Sequence, residues 1–258
     1  MAGRAHCIAL LKVVSETCNA ALESIFKPSS SSANVDLPPF TVIRKDFISL
    51  LSLIYASTTK IALVLNPASP TYAAAATPLN ELSKHISALS HCTNLVDPHE
   101  YGATLNREIT NLASGVIDAV NALVKTFSEI EALGEQGGSG DYMVKTGNVH
   151  NLIEIARSSN GLSKDNLAAV RKKWMEDTET LEDGARELKE LIENTGDEGF
   201  GDEGDGWDEL GLGNTEPLSA EEIERASKAC LFWLSKISQG LIFLFSDTSC
   251  PSPSCPSP

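Results

Sequence analysis

Four side chains that could bind a metal lie close together in the sequence: His85, His91, Cys92 and His99. Imidazole and thiolate groups are the usual ligands of zinc, but a structural zinc site needs two ligand pairs at finger-like spacings. These four residues span a helical pattern and its exit, and no second pair follows them. The spacing therefore favours structural histidines, and we expect neither a metal nor a cofactor.

The stretch GGSGDYMVKT, which ends at Lys145 and Thr146, resembles a phosphate-binding loop. Such a loop needs two glycines at fixed positions before its lysine, and here Ser139 and Val144 occupy those positions. No nucleophile elbow is present. Carboxylates are abundant near the C-terminus, but a solvated, mobile carboxylate cannot hold the geometry that general acid catalysis needs. The sequence predicts no catalytic residues, and therefore a protein that is not an enzyme.

Those carboxylates form a long acidic stretch. From Glu190 to Glu224 there are thirteen of them with no Lys or Arg between, so this stretch holds most of the formal net charge of -15. Its centre, Thr195 to Asn214, has seven glycines and little apolar surface to offset the entropy of ordering it. We expect a flexible acidic connector that attracts basic surfaces of other proteins.

Trp207 and the carboxylates around it form the candidate partner-binding site within this connector. Segments that mix acidic and aromatic residues can fold onto a partner as they bind it. Alternatively, Trp207 and Leu210 only attach the connector to the neighbouring helices, and the sequence leaves both interpretations open. The residues of the candidate site are Asp202, Glu203, Asp205, Trp207, Asp208 and Glu209.

Composition argues against nucleic acid and membrane as partners. A sequence pI of about 4.7, with basic residues interspersed among acidic ones, does not provide the basic face that phosphates need. The apolar N-terminal patch is interrupted by Lys12 and Glu16, unlike a signal peptide. The most apolar window, residues 229–245, contains Lys236 and Gln239 and is short for a membrane span. We expect a cytoplasmic and nuclear protein with reduced cysteines.

Apolar residues recur at steps of three and four along most of the chain, which predicts long amphipathic helices. Ser163 is the expected N-cap of the sixth helix, and Ser219 with Glu222 forms a capping box for the seventh. The predicted helices cover about residues 2–26, 42–65, 79–96, 105–133, 141–157, 163–192 and 219–245.

Long helices must bury their apolar stripes against one another, so the sequence predicts an all-α protein built as an antiparallel bundle. An intermolecular coiled coil is the alternative, but Pro98 and the short connections favour chain reversal. The expected core positions include Leu112, Val116, Leu123, Leu181 and Leu188.

The same patterns divide the chain into four regions. Residues 1–194 form the N-terminal helical bundle, 195–218 the acidic Gly-rich linker, 219–245 a helix of a partial C-terminal part, and 246–258 a disordered Ser/Pro/Cys tail. A single apolar helix needs neighbours. Either it packs back on the first bundle, or the second helical part is incomplete in this chain.

Two segments, TGNVHNLIEIARS and LSKDNLAAVRKKWMEDTETLEDGARELKELIE, are followed by the acidic Gly-rich stretch and a newly capped helix. This order of features resembles the cyclin-D-binding protein 1 family, also called the cyclin-D-interacting protein family. The resemblance extends best over Val42 to Ile192. The positions that carry it are Thr146, Gly147, Val149, Leu162, Asn166, Ala169, Val170, Asp177 and Glu182.

The resemblance implies two helical parts joined by the acidic linker, in a protein that binds other proteins and regulates cell-cycle progression and transcription. A cyclin or a helix-loop-helix-type regulator is the implied partner, and the family lacks a basic DNA-contacting region. One departure is that the family's second part normally has several helices, whereas this chain offers one. Long bundles also resemble vinculin and α-catenin modules, so a cytoskeletal adaptor is the alternative.

Overall fold

The computed structural model describes residues 2–27, 37–133 and 141–194, together with positions 221, 224, 225, 228 and 232. Every regular element in these residues is a helix, which confirms the all-α prediction. The helices are α1 (Ala2–Phe26), α2 (Phe40–Val64), α3 (Tyr72–Asn94), α4 (Pro98–Tyr101), α5 (Ala103–Leu133), α6 (Asp141–Arg157) and α7 (Asn166–Asn194). The sequence pattern did not predict the four-residue α4.

The chain divides into two compact units, residues 1–170 and residues 171–258. The first unit contains α1 to α6 and the first turn of α7. The proposed linker (195–218) and tail (246–258) lie outside the described residues, so the domain boundaries stay predictions. In the proposed C-terminal helix the described positions are helical, and Glu224 pairs with Lys228 one turn later.

Five helices of the first unit contact one another in a closed ring, in the order α1, α3, α2, α6, α5. Hydrogen bonds give the direction of four of the five neighbouring pairs. Arg4 bonds Glu131 and Asn19 bonds Asn121, so α1 and α5 run antiparallel. Polar contacts also join the start of α2 to the end of α3 and the end of α2 to residues earlier in α3, and α6 follows the same pattern. Thus α2 runs antiparallel to both α3 and α6.

One neighbouring pair, α1 and α3, runs parallel. Ser90 donates to the carbonyl oxygen of Ala21, and Asn94 donates to Ser24, so both helices advance in the same direction. A ring with five members cannot alternate in direction throughout. The ring therefore combines antiparallel neighbours with one parallel pair.

Among the helices of the ring, α5 contributes the most buried apolar residues to the core. Val116 and Leu123 are fully buried, as predicted, and Leu112 is partly buried against the same core. Because α5 contacts α1, α3 and α6, it buries more than the one stripe that stepwise spacing predicts. The additional buried apolar residues are Ala113, Ile117, Val120 and Val124.

The prediction that Leu181 belongs to the core is wrong, because its side chain is 43% exposed. Every described side chain from Glu179 to Glu190 is exposed as well. Steps of three and four show where a helix carries its apolar stripe, but they do not show whether another element covers it. The side chain of Leu188 lies outside the described residues.

The connection from α6 to α7 closes one end of the ring. The guanidinium of Arg44 donates two hydrogen bonds to the carbonyl oxygen of Leu162, at 3.2 and 2.9 Å. The side-chain oxygen of Asn166 accepts a hydrogen bond of 3.1 Å from the backbone N–H of Leu105, and so caps the start of α5. Gly102 precedes α5 with φ of 97°, and a Cβ at this position would overlap the Asn166 side chain.

Asp165, and not Ser163, caps the start of α7. Its Oδ1 accepts a hydrogen bond of 2.7 Å from the backbone N–H of Ala168, whereas Ser163 is buried before the helix begins. Ser and Asp are comparable N-cap residues, so two of them two positions apart leave the starting residue ambiguous in the sequence.

Among the described helices, α2 is long and apolar enough to cross a membrane by length and composition. A core helix of a soluble protein meets the same criterion, so this is weak evidence for a span. Five of its large apolar side chains are buried in the ring: Ile43, Phe47, Leu51, Ile54 and Ile61.

Candidate functional site

The partner-binding site predicted in the acidic connector lies outside the described residues, so it stays a prediction. Its members are Asp202, Glu203, Asp205, Trp207, Asp208 and Glu209.

The His and Cys residues that were weighed as metal ligands do not come together. His85 faces α2, where its Nδ1 is 3.4 Å from the Ser57 hydroxyl, while His91 and His99 are exposed. Cys92 is buried, and burial raises the pKa of its thiol to about 11. Among the residues that the structure describes, no three His, Cys, Asp or Glu side chains could hold a metal ion together.

The polar contacts that join α2 to α6 centre on His150. Its ring stacks on Tyr55, with 3.8 Å between centroids and 18° between planes. Its Nε2 lies 3.3 Å from the Thr58 hydroxyl and 3.2 Å from the Thr59 hydroxyl. The Tyr55 hydroxyl donates to a carboxylate oxygen of Glu154 at 3.2 Å. These contacts fix the register of the two helices.

The hydroxyl partners of His150 indicate which ring nitrogen carries the proton. Thr58 donates to the carbonyl oxygen of Ile54 at 3.0 Å, and Thr59 donates to that of Tyr55 at 2.8 Å. Each hydroxyl has a single proton. We therefore assign the proton to Nε2, which donates to both threonine oxygens, in a neutral imidazole.

Burial lowers the pKa of His150 below its usual 6.5, and the nearby Glu154 opposes this shift only in part. Burial also lowers the pKa of His85, where Lys60 and Lys84 act in the same direction and Glu81 acts against it. Both imidazoles are thus held in the neutral form within the helical bundle.

We expect the free energy of unfolding to fall as the pH decreases below 6.5. In that range the unfolded chain takes up protons that the folded histidines resist, whereas above it neither state gains protons at these sites. His150→Gln keeps a donor for the threonines but cannot titrate, so its stability should depend less on pH. Urea unfolding at several pH values checks this.

The control for that measurement is Asn151→Gln, an exposed neighbour of His150 on α6. It changes no titratable group and should follow the parent protein at every pH. An unchanged pH dependence in His150→Gln would contradict the assignment of a partly buried, neutral imidazole.

The outward surface of α2 and α6, called here the α2/α6 face, carries apolar residues that the bundle does not cover. Leu63 is 72% exposed and Met143 is 65% exposed. The contact between Thr59 and His150 sets the register, which places Leu63 one turn further along α2, beside the start of α6. The exposed apolar and small residues of this face are Ala56, Leu63, Met143, Val144, Gly147 and Ile155.

Gly147 forms a notch in the middle of α6. It lies one turn before His150 on the side that faces α2, and a Cβ added there would meet no atom within 4 Å. A glycine inside a helix lowers the stability of that helix by roughly 0.5 to 1 kcal/mol relative to an alanine. Packing within the described bundle does not require a glycine at this position.

The opposite end of the α2/α6 face is basic. Lys45 near the start of α2 and Arg157 at the end of α6 are both exposed, and neither forms an ion pair with another described residue. The contact between Arg44 and Leu162 places the two basic residues at the same end of the seam. The face is therefore apolar at one end and positively charged at the other.

A shallow cleft of about 270 Å³ lies where α2, α4, α5 and the start of α7 meet. Its walls include the tilted rings of Phe40 and Tyr101, 5.9 Å apart, and its rim carries Glu100 and Lys164. The Tyr101 hydroxyl donates to the carbonyl oxygen of Pro38. The cleft can accept an apolar side chain, but its one phenol is already hydrogen-bonded.

Sequence reasoning did not identify the α2/α6 face. The signal was present in α6, where Met143, Val144 and Ile155 fall outside the buried stripe of Tyr142, Val149 and Ile153. Apolar residues on two sides of a surface helix, with a glycine between them, indicate a second contact surface.

Comparison with known proteins gives one match. A family model described as Grap2 and cyclin-D-interacting, N-terminal, matches residues 46–194, more than half of the chain. No curated protein and no solved structure matches this chain. The matched range begins within α2 and ends with α7, so it contains most of the α2/α6 face.

Proposed function

Because the chain belongs to the Grap2 and cyclin-D-interacting family, we propose that it is a non-enzymatic interaction protein whose partner is a D-type cyclin or a helix-loop-helix-type regulator. The observation that carries this proposal is the family match over residues 46–194. The name of that family specifies an interaction with cyclin D and no reaction.

Binding alone is sufficient for such a protein to regulate cell-cycle progression and transcription. A protein that occupies a cyclin lowers the concentration available to other partners by mass action. A net charge of -15 disfavours direct contact with DNA, so the proposed effect on transcription passes through protein partners. We place this activity in the cytoplasm and nucleus, where such partners are found.

The described bundle supports this proposal with a surface suited to protein binding. The α2/α6 face combines exposed apolar residues with a basic end, and hydrogen bonds between α2 and α6 hold it in a fixed shape. A preorganised surface loses little conformational entropy on binding. Contiguous exposed apolar residues on a soluble protein commonly mark interaction sites.

Direct binding of purified proteins tests the proposed function. The full chain is immobilised, and a D-type cyclin and a B-type cyclin are applied separately at equal concentrations. We expect saturable binding of the D-type cyclin and at least about tenfold weaker binding of the B-type cyclin, a difference of about 1.4 kcal/mol. No binding of the D-type cyclin, or equal binding of both cyclins, would contradict a D-type cyclin as the specific partner.

We also propose that the acidic connector accelerates association with the partner. Converting its carboxylates at 202, 203, 205, 208 and 209 to amides removes five negative charges while leaving the bundle sequence unchanged. Association with the cyclin should become slower and less sensitive to salt, because electrostatic steering acts mainly on the on-rate. Stopped-flow kinetics at several salt concentrations measures both effects.

The control for the connector variant has the same change in net charge, made on the outer faces of the bundle. Its five amides replace the exposed carboxylates Glu16, Glu23, Asp46, Asp118 and Glu129. If both variants associate at the same rate, net charge alone decides the rate. If the connector variant matches the parent, the connector has no part in recognition.

A further inference from the structure

We propose that the α2/α6 face is the docking site for a helix of the partner protein. Along its length, one half of that helix is apolar and the other half is acidic. This inference rests on the proposed function, because it assigns the partner a place on the bundle.

The apolar end of the face leaves room for a third helix. Leu63 and Met143 are exposed on neighbouring helices, and a Cβ at Gly147 would meet no atom within 4 Å, so Gly147 leaves a gap on the surface of α6. Side chains of one helix pack into the grooves of another, and a glycine lets the two backbones approach closely. The apolar half of the docked helix is assigned to this gap.

The basic end of the face favours acidic residues in the docked helix. Lys45 and Arg157 are exposed and form no ion pair with another described residue, so an incoming carboxylate meets a cation without displacing a neighbour. Lys45 and Leu63 are eighteen residues apart on α2, which corresponds to about 27 Å. The docked helix therefore spans about five turns.

Charge complementarity favours a partner helix over a second copy of this chain. Together α2 and α6 carry five basic and three acidic residues, in a chain whose formal net charge is -15. Two copies that met through this face would place the basic end of one copy against the basic or the apolar end of the other. A helix with an acidic half and an apolar half instead complements the basic end and the apolar end of the face.

Methyl NMR of the full chain gives a direct readout, because its methionines are only Met1, Met143 and Met175. With ¹³C-methyl methionine, Met143 reports on the apolar end of the face and Met175 on α7. The probes are synthetic helical peptides of about twenty residues with leucines in one half and glutamates in the other, in both sequence orders. The matched peptides carry lysine in place of each glutamate.

We expect a glutamate peptide to shift the Met143 signal in a saturable way, and the lysine peptides to bind at least about tenfold more weakly. Three results would overturn the assignment: equal effects of both peptide types, a Met143 shift with phosphatidylserine vesicles but not with peptides, or a shift that depends on protein concentration alone. The last two would assign the face to a membrane surface and to a second copy, respectively.

Two variants test the face itself. Gly147→Gln fills the gap, and Leu63→Glu replaces an apolar contact with a negative charge. Each should therefore weaken binding of the glutamate peptide by about tenfold or more. Gly147→Gln should at the same time raise the melting temperature, because glutamine favours helix. A loss of binding in a more stable protein cannot come from unfolding.

The matched controls are Gly115→Ala on α5, where a Cβ also meets no atom within 4 Å, and Val13→Glu on the exposed side of α1. Both should bind the peptide as the parent does. If the D-type cyclin binds the parent and all four variants equally, the proposed function stands and this docking site is wrong. If the peptide shifts Met143 but no cyclin binds, the docking site stands and the cyclin proposal is wrong.

Discussion

Replacing Phe47 with alanine is expected to lower the free energy of unfolding by about 3 to 5 kcal/mol. Phe47 is fully buried on the side of α2 that faces the interior of the ring. Its removal deletes apolar contacts and leaves a cavity that the surrounding helices can only partly fill. Urea unfolding followed by circular dichroism measures the change.

The matched control is Phe26→Ala, because Phe26 is 62% exposed at the end of α1. Its effect should remain within about 0.5 kcal/mol. Equal stability losses from the two substitutions would show that the assignment of the core is wrong.

Gly102→Ala is expected to destabilise the protein by about 2 to 4 kcal/mol, for two reasons that add. Alanine is strained at φ of 97°, and its Cβ would displace the Asn166 side chain that caps α5. Asn166→Ala alone removes only the cap and should cost about 1 kcal/mol. Thermal and urea unfolding of both variants gives the two values.

A double variant separates the two causes. Without the Asn166 side chain the new Cβ has nothing to displace, so Gly102→Ala with Asn166→Ala should lose less stability than the sum of the single variants. Strict additivity would mean that backbone strain alone accounts for the loss at Gly102. In that case the contact between these residues does not hold α7 to the start of α5.

Spacing of apolar residues predicted the long helices of the first unit well because each of them lies in the closed ring and buries at least one side. Along α3, the predicted positions Leu79, Leu82, Ile86 and Leu89 are all fully buried. The prediction was wrong for Leu181 because the pattern marks an apolar stripe without identifying what covers it. Coverage is a tertiary property, and local spacing does not contain it.

Capping and connections were predicted less well, since several short polar residues compete for the same role. Ser163 and Asp165 both suit an N-cap, and only the hydrogen bond to Ala168 distinguishes them. The capping of α5 by Asn166 joins residues 61 positions apart. No rule of local sequence predicts such a contact.

The candidate site separates into a part that the sequence indicated and a part that it did not. The acidic connector was recognised from composition, but its residues lie outside those that the structure describes. The α2/α6 face depends on which sides of two helices remain uncovered after folding. In the sequence, Gly147 in the middle of α6 was its clearest indication, but the sequence does not show that Leu63 and Met143 remain exposed.

The most direct test of the whole account is the ¹³C-methyl methionine spectrum of the full chain, recorded with and without a D-type cyclin. If the chain binds this cyclin through the α2/α6 face, the Met143 signal will shift or broaden while the Met175 signal keeps its position. A spectrum in which the cyclin binds and leaves Met143 unchanged would contradict the assignment of the face. A spectrum that the cyclin does not alter at all, at concentrations that saturate known cyclin partners, would contradict a D-type cyclin as the partner.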